Sequence, residues 1–155
     1  MAVPEPVAGY EARLRDSFAR QAAMATLGAT PGRIAPGAVD VLMPHRDALT
    51  QQHGFLHAGV VATALDSACG YAAFTLMPLD AAVLTVEFKI NLLAPARGPQ
   101  FRFEGRVVKA GRTISVVDGR AYQCNTADGP ARDDDQLIAT MTATVMTVQG
   151  RGLAG

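Results

Sequence analysis

The chain switches between helical and strand periodicity, and glycine or proline marks most of the boundaries. From Glu11 to Leu27, apolar side chains recur at Leu14, Phe18, Ala22 and Ala25 with arginines between them. That spacing predicts one amphipathic helix, ended by Gly28. Between Arg33 and Met43, Val39, Val41 and Met43 share one parity and predict a first strand, stopped by Pro44. The polar segment HRDALTQQHGFLH has no periodicity, and His57 to Met77 is then apolar almost throughout. Beyond Pro78 the period becomes two. Leu84, Val86, Phe88, Ile90 and Leu92 fall on one face of a strand, and Thr85, Glu87, Lys89 and Asn91 on the other. Phe101, Phe103, Gly105 and Val107 alternate with Arg102, Glu104 and Arg106, and further strands are expected over Thr113–Cys124 and Leu137–Val148. The links Lys109–Arg112 and Asp128–Asp135 are short enough to join antiparallel neighbours. An α+β domain follows, with one long helix wrapped by an antiparallel sheet.

The apolar run from His57 to Met77 is 21 residues long, enough to span a bilayer. Asp66 near its midpoint, the many Ala, Gly, Ser and Thr residues, and flanks that are not strongly basic argue instead for a helix buried inside the domain. Its small side chains would let a sheet approach closely. The whole chain has 155 residues, 49% of them hydrophobic and 18% charged, which suits one domain with a sizeable core. With 14 Lys+Arg against 14 Asp+Glu, the formal charge is zero and gives no footprint for nucleic acid. Cys69 and Cys124 lack CxxC spacing, and the N-terminus has no basic-then-apolar leader, so a reducing cytoplasmic setting with free thiols is expected.

Three regions are expected: a helical extension over residues 1–32, the main domain over 33–149 and a flexible tail over 150–155. One helix covers only one face of a sheet of about five strands, so the unpaired edges and open face predict a homodimer at least.

Candidate chemistry is densest in Gln51-Gln52-His53-Gly54-Phe55-Leu56-His57-Ala58-Gly59, with Asp66 following in the apolar helix. An isolated acid there must be satisfied or have work to do. The backbone N–H groups of Ala58 and Gly59 would be free donors in the first helical turn, suited to a developing oxyanion. Asp66 could activate water or attack a carbonyl. Eight residues separate Ala58 from Asp66, roughly 12 Å along a helix axis, so one carbonyl cannot easily touch both within a chain. Cooperation requires the carboxylate of another copy, as when two such helices lie antiparallel across a twofold axis. His53 and His57 are four apart, but Gly54 and the missing Glu argue against an H-E-x-x-H zinc site, and no metal is expected.

HGFLHAGVVATALDSACGYAA resembles the G-x-x-H-(G/A)-G-x(6)-D-x(3)-G signature of hotdog-fold acyl-CoA thioesterases, specifically the PaaI-like group. LTVEFKINLLAPARG resembles the strand that follows it there, and VVKAGRTISVVDGRAY the next hairpin, so the resemblance runs over residues 38 to 148. It implies a five- to six-stranded hotdog domain that hydrolyses an acyl- or aryl-CoA to a carboxylic acid and CoA, at sites between the subunits of a homodimer or a dimer of dimers. By the same resemblance Asp66 is nucleophile or general base, Ala58 N–H polarises the thioester carbonyl, Gln51 assists it and Thr85 orients water. Gln51 stands where Asn is commoner, Ala58 where many members have Gly, and Thr85 lies on the polar parity of its strand. His57 suits a helix-entry residue that hydrogen-bonds backbone better than a proton carrier. Gly59 and the turn with Lys109, Gly111 and Arg112 are the substrate-binding candidates, the cations for CoA phosphates, with Arg97 a further candidate. Coenzyme A enters as part of the substrate, and no separate cofactor is implied. A hotdog hydratase or dehydratase and a non-catalytic acyl-CoA or aromatic-ligand binding module are the alternatives. Phe55, Leu56, Tyr71, Phe74 and Met77 could line an apolar pocket, but periodicity does not orient them.

Overall fold

The computed structural model describes residues 4–125 and 133–153, so most of the expected link from Asp128 to Asp135 lies outside the described residues. The N-terminal amphipathic stretch forms two helices rather than one, α1 (Tyr10–Ala19) and α2 (Ala22–Leu27). Gln21 between them is extended, with φ −81° and ψ 99°, and its side chain turns toward the long helix. The break lets both short segments bury apolar side chains, Leu14 and Phe18 from α1, Met24 and Leu27 from α2, in the same core as the sheet. The Arg13 guanidinium ties α1 down: it donates to the carbonyls of Phe74, Met77 and Pro78 and lies 3.9 Å over the Phe74 ring. These carbonyls sit at and beyond the C-terminus of the long helix, where they lack intrahelical donors.

A hairpin replaces the single strand expected over residues 33–43. β1 (Thr30–Ala35) and β2 (Ala38–Pro44) pair antiparallel, and Gly37 takes φ 70° in the turn between them. The sheet therefore begins inside the stretch expected to be a helical extension. The long helix α3 (Ala58–Phe74) is shorter than the apolar run, which ends in turns after Phe74. Four strands follow: β3 (Ala82–Leu92), β4 (Gln100–Lys109), β5 (Ile114–Cys124) and β6 (Gln136–Val148). The six strands form one antiparallel sheet in the order β1-β2-β4-β5-β6-β3, and α3 packs against β2 to β6, the arrangement expected of a hotdog fold. Among the described residues no helix is long and apolar enough to cross a membrane.

Close approach of α3 depends on glycine from the sheet as well as small residues from the helix. Gly105 of β4 and Gly119 of β5 are paired across the strands. A Cβ on Gly105 would lie 2.2 Å from the Ala68 carbonyl oxygen, and one on Gly119 would lie 2.9 Å from Cys69 Sγ. Helix backbone thus rests directly on sheet backbone.

In β3 the regular alternation is interrupted. Thr85 pairs with Val145 of β6 and Glu87 with Thr144, so Val86 is an extra residue, a β-bulge. Val145 is buried under α3, and Thr85 across from it therefore faces the helix. Past the bulge the parity is reversed, and Phe88, Ile90 and Leu92 face the same side as Thr85. Leu84 falls on the opposite face with Glu87, Lys89 and Asn91. β3 is also an edge strand, with Leu84, Val86, Phe88 and Leu92 exposed by 46%, 56%, 41% and 53%.

Candidate active site

His57 is the N-cap of α3. Its Nδ1 accepts from the Gly59 N–H at 2.9 Å. The expected pair of free donors is thereby reduced to one: Gly59 N–H is engaged, and Ala58 N–H takes no acceptor among the described residues. Gln51 sits in the tight loop before the helix, where its backbone N–H donates to the Phe55 carbonyl at 2.8 Å. Its Oε1 accepts from the His53 N–H, so the amide NH2 keeps its donors. Gln51 and Ala58 line one cavity of about 400 Å³ with Phe55, Leu56, Val61 and the 92–96 segment. The Arg97 guanidinium lies 4.3 Å over the Phe55 ring of this cavity.

Asp66 opens onto a second cavity, of about 450 Å³, which shares no lining residue with the first. Thr85 Oγ1 donates to Asp66 Oδ1 at 2.8 Å, a contact that the bulge at Val86 makes possible. Burial pushes the Asp66 carboxyl above its ordinary range, and the Thr85 hydrogen bond pulls it part of the way back. Such a carboxylate is a better base than an ordinary surface aspartate. Cys69 one turn on is no nucleophile: burial, with the charges of Asp66 and Asp118, pushes its thiol up to about 12.

The sequence-derived residues therefore fall into three groups. Gln51, His57, Ala58 and Gly59 gather at the N-terminus of α3, and Asp66 and Thr85 meet at its middle. Lys109 ends β4, and Gly111 and Arg112 follow in the β4–β5 turn, where they line a smaller cavity of about 280 Å³ with Leu76 and Met77, beyond the far end of α3. The five apolar pocket candidates are divided likewise. Phe55 and Leu56 line the Ala58 cavity, Tyr71 and Phe74 the Asp66 cavity, and Met77 the third. Sequence patterning missed Ser17, Gln21 and Ser67, which line the Asp66 cavity with Leu153 of the tail. Ser17 and Gln21 read as the polar face of an amphipathic helix, and no local signal separates them from solvated residues. Among the described residues no three His, Cys, Asp or Glu side chains group as metal ligands.

Comparison with known proteins concerns the fold and the family. A thioesterase family protein from Silicibacter pomeroyi is 57% identical and superposes with a TM-score of 0.84, over 92% of this chain and 100% of that one. The PaaI protein of the E. coli phenylacetic acid degradation operon is 16% identical with a TM-score of 0.78, covering 91% and 94%, a likeness of fold. A Saccharolobus solfataricus protein, SSO1253, whose name assigns it provisionally as an esterase, is 44% identical over 78 residues, 50% of this chain and 51% of its own length. Across the first three curated relatives the matched share of their length runs from 51% to 64%. Residues 53–128, which carry the helix entry, Asp66, Thr85 and the β4–β5 turn, match the model of the Thioesterase superfamily. The chain belongs to the thioesterase superfamily.

Proposed function

We propose that the protein is an acyl-CoA thioesterase whose active sites each combine Ala58 and Gln51 of one copy with Asp66 and Thr85 of another. The observation that carries this reading is the separation of an oriented carboxylate from a free oxyanion donor. Asp66 is held by Thr85 on one cavity and Ala58 lines another, so a carbonyl that uses both draws on two chains. The exposed apolar edge strand β3, next to the Asp66 cavity, offers the surface for such pairing.

In this site the thioester carbonyl oxygen accepts from Ala58 N–H, with the Gln51 amide as a second donor. Asp66 takes a proton from water as the water oxygen bonds to the carbonyl carbon, or adds to that carbon itself and expels the thiolate, forming a mixed anhydride that water then hydrolyses. Either way the C–S bond breaks, its electron pair leaves on sulfur, and the proton from water ends on the thiolate. The sum is acyl-CoA plus water giving a carboxylic acid and CoA. Negative charge that develops on the carbonyl oxygen meets a preorganised N–H at a helix N-terminus, the interaction that gains most in the transition state. His57 serves as the cap that positions this turn.

The test uses two inactive variants. Ala58→Pro removes only the N–H at the first helical position, where proline is well tolerated, and should lower thiol release about 10²- to 10³-fold. Asp66→Asn should do the same or more. Co-refolding the two restores one intact site per mixed dimer and should recover about a quarter of wild-type activity. Full activity in Asp66→Asn would end the catalytic assignment, and no recovery on mixing would place both groups within a single chain.

A further inference from the structure

The chain beyond β6 does not leave the molecule at the end of the strand. Val148, the last residue of β6, pairs with Ala82 at the start of β3, and five residues later Leu153 lines the Asp66 cavity beside Val83 and Leu84. Two features hold this course. Gln149 Nε2 donates to Asp80 Oδ1 at 2.9 Å, which ties the base of the tail to the turn before β3. Gly150 and Gly152 both take φ 68°, a left-handed conformation that bends the chain twice within three residues. A Cβ on either glycine would meet nothing within 4 Å, so glycine serves the backbone conformation here and not close packing.

Leu153 reaches the cavity with 47% of its surface still exposed. An apolar side chain held half-open at the rim of a cavity gains its remaining burial only when something fills that cavity. Resting on the thioesterase reading, we propose that residues 149–153 form a strap along the Asp66 cavity and that Leu153 is a substrate-contacting residue. The strap supplies apolar surface that the bound thioester covers. Such a contact is made alike in the ground state and the transition state, so it acts on KM and leaves kcat nearly unchanged. Covering the exposed half of one leucine is worth about fivefold in affinity. A frayed end would leave KM indifferent to the side chain at 153 and to the backbone at 152.

Thiol release from hexanoyl-CoA by the full chain, measured for four variants, tests both halves of the proposal. Leu153→Ser should raise KM about fivefold with kcat within about twofold of wild type, and Leu153→Met should restore the wild-type KM. Gly152→Val keeps Leu153 but places a β-branched residue where φ is positive, so the strap is displaced and KM should rise by a similar factor. Gly152→Asn, which tolerates that conformation, should keep the wild-type KM. Melting temperature and sedimentation, equal to wild type in all four, separate these effects from loss of packing or of the dimer; a variant that melts lower is judged by its conservative counterpart at the same position. An unchanged KM in Leu153→Ser or in Gly152→Val, a fall in kcat at constant KM, or a KM raised as much by Leu153→Met or Gly152→Asn overturns the strap alone. Absence of thiol release from the wild-type protein overturns the thioesterase reading and this proposal with it.

Discussion

At Asp66 two opposing influences set the acidity of one carboxyl: burial raises it and the Thr85 hydroxyl lowers it. Removing the hydroxyl should move the balance in a known direction. Thr85→Val should shift the acid limb of the kcat/KM profile to higher pH and lower its plateau about tenfold, since the proton-accepting oxygen loses its orienting donor. An acid limb at unchanged pH would show that this hydrogen bond does not act on the catalytic group. The same shift bears on stability. Because the folded-state pKa is raised, the native state binds more protons than the unfolded chain between the ordinary aspartate range and the raised value. Stability is therefore lost as pH rises through that window, and Asp66→Asn, which cannot ionise, should melt higher than wild type at neutral pH while being inactive. That difference should shrink as the pH falls toward the ordinary range; an equal or lower melting temperature at neutral pH would contradict it.

Among the elements, α3 and the sheet meet where side chains are smallest. Gly105 and Gly119 look alike in sequence, each on the inward parity of its strand, but an added methyl meets different neighbours at the two positions. On Gly105 it runs into the Ala68 carbonyl and Cys69 nitrogen, which are helix backbone, and on Gly119 into Cys69 Sγ and the Leu65 side chain. Backbone cannot step aside without shifting α3, whereas side-chain ends can rotate. Gly105→Ala should cost about 3 kcal/mol and lower the melting temperature by roughly 6–12 °C, and Gly119→Ala about 1 kcal/mol. The reverse order in a pair of melting curves would mean that the sheet, and not the helix, sets this contact. The turn at Gly37 belongs to the same scale: with φ 70° it reverses the chain inside the stretch whose parity of Val39, Val41 and Met43 predicts one strand.

For the whole molecule, the exposed apolar residues of β3 are the feature a single copy leaves unsatisfied. If β3 is where two copies meet, one lysine in its middle should separate them. Val86→Lys should sediment as a monomer and lose thiol release, although Asp66, Thr85 and Ala58 are untouched. A dimer that persists would move the interface elsewhere on the surface.

Much of this protein was legible in short stretches of its chain. The apolar run around a lone aspartate, the histidine that enters the helix and the alternation of β4 are properties of near neighbours in sequence, and periodicity records them directly. Thr85 was different: alternation alone placed it on the outer face, and only its position in the motif suggested a role. The bulge at Val86 that turns it inward depends on the register of β3 against β6, set by residues about 60 positions away. Likewise Ser17 and Gln21 acquire their place at the Asp66 cavity only because Arg13 and the buried faces of α1 and α2 dock on the end of α3. Sequence by itself determined the long helix around Asp66 and the order of the four strands that follow it, because each is a local pattern of side chains. Tertiary structure decided which face Thr85 takes, which donor at the helix N-terminus is free and what surrounds the carboxylate, because these depend on contacts between residues far apart in the chain.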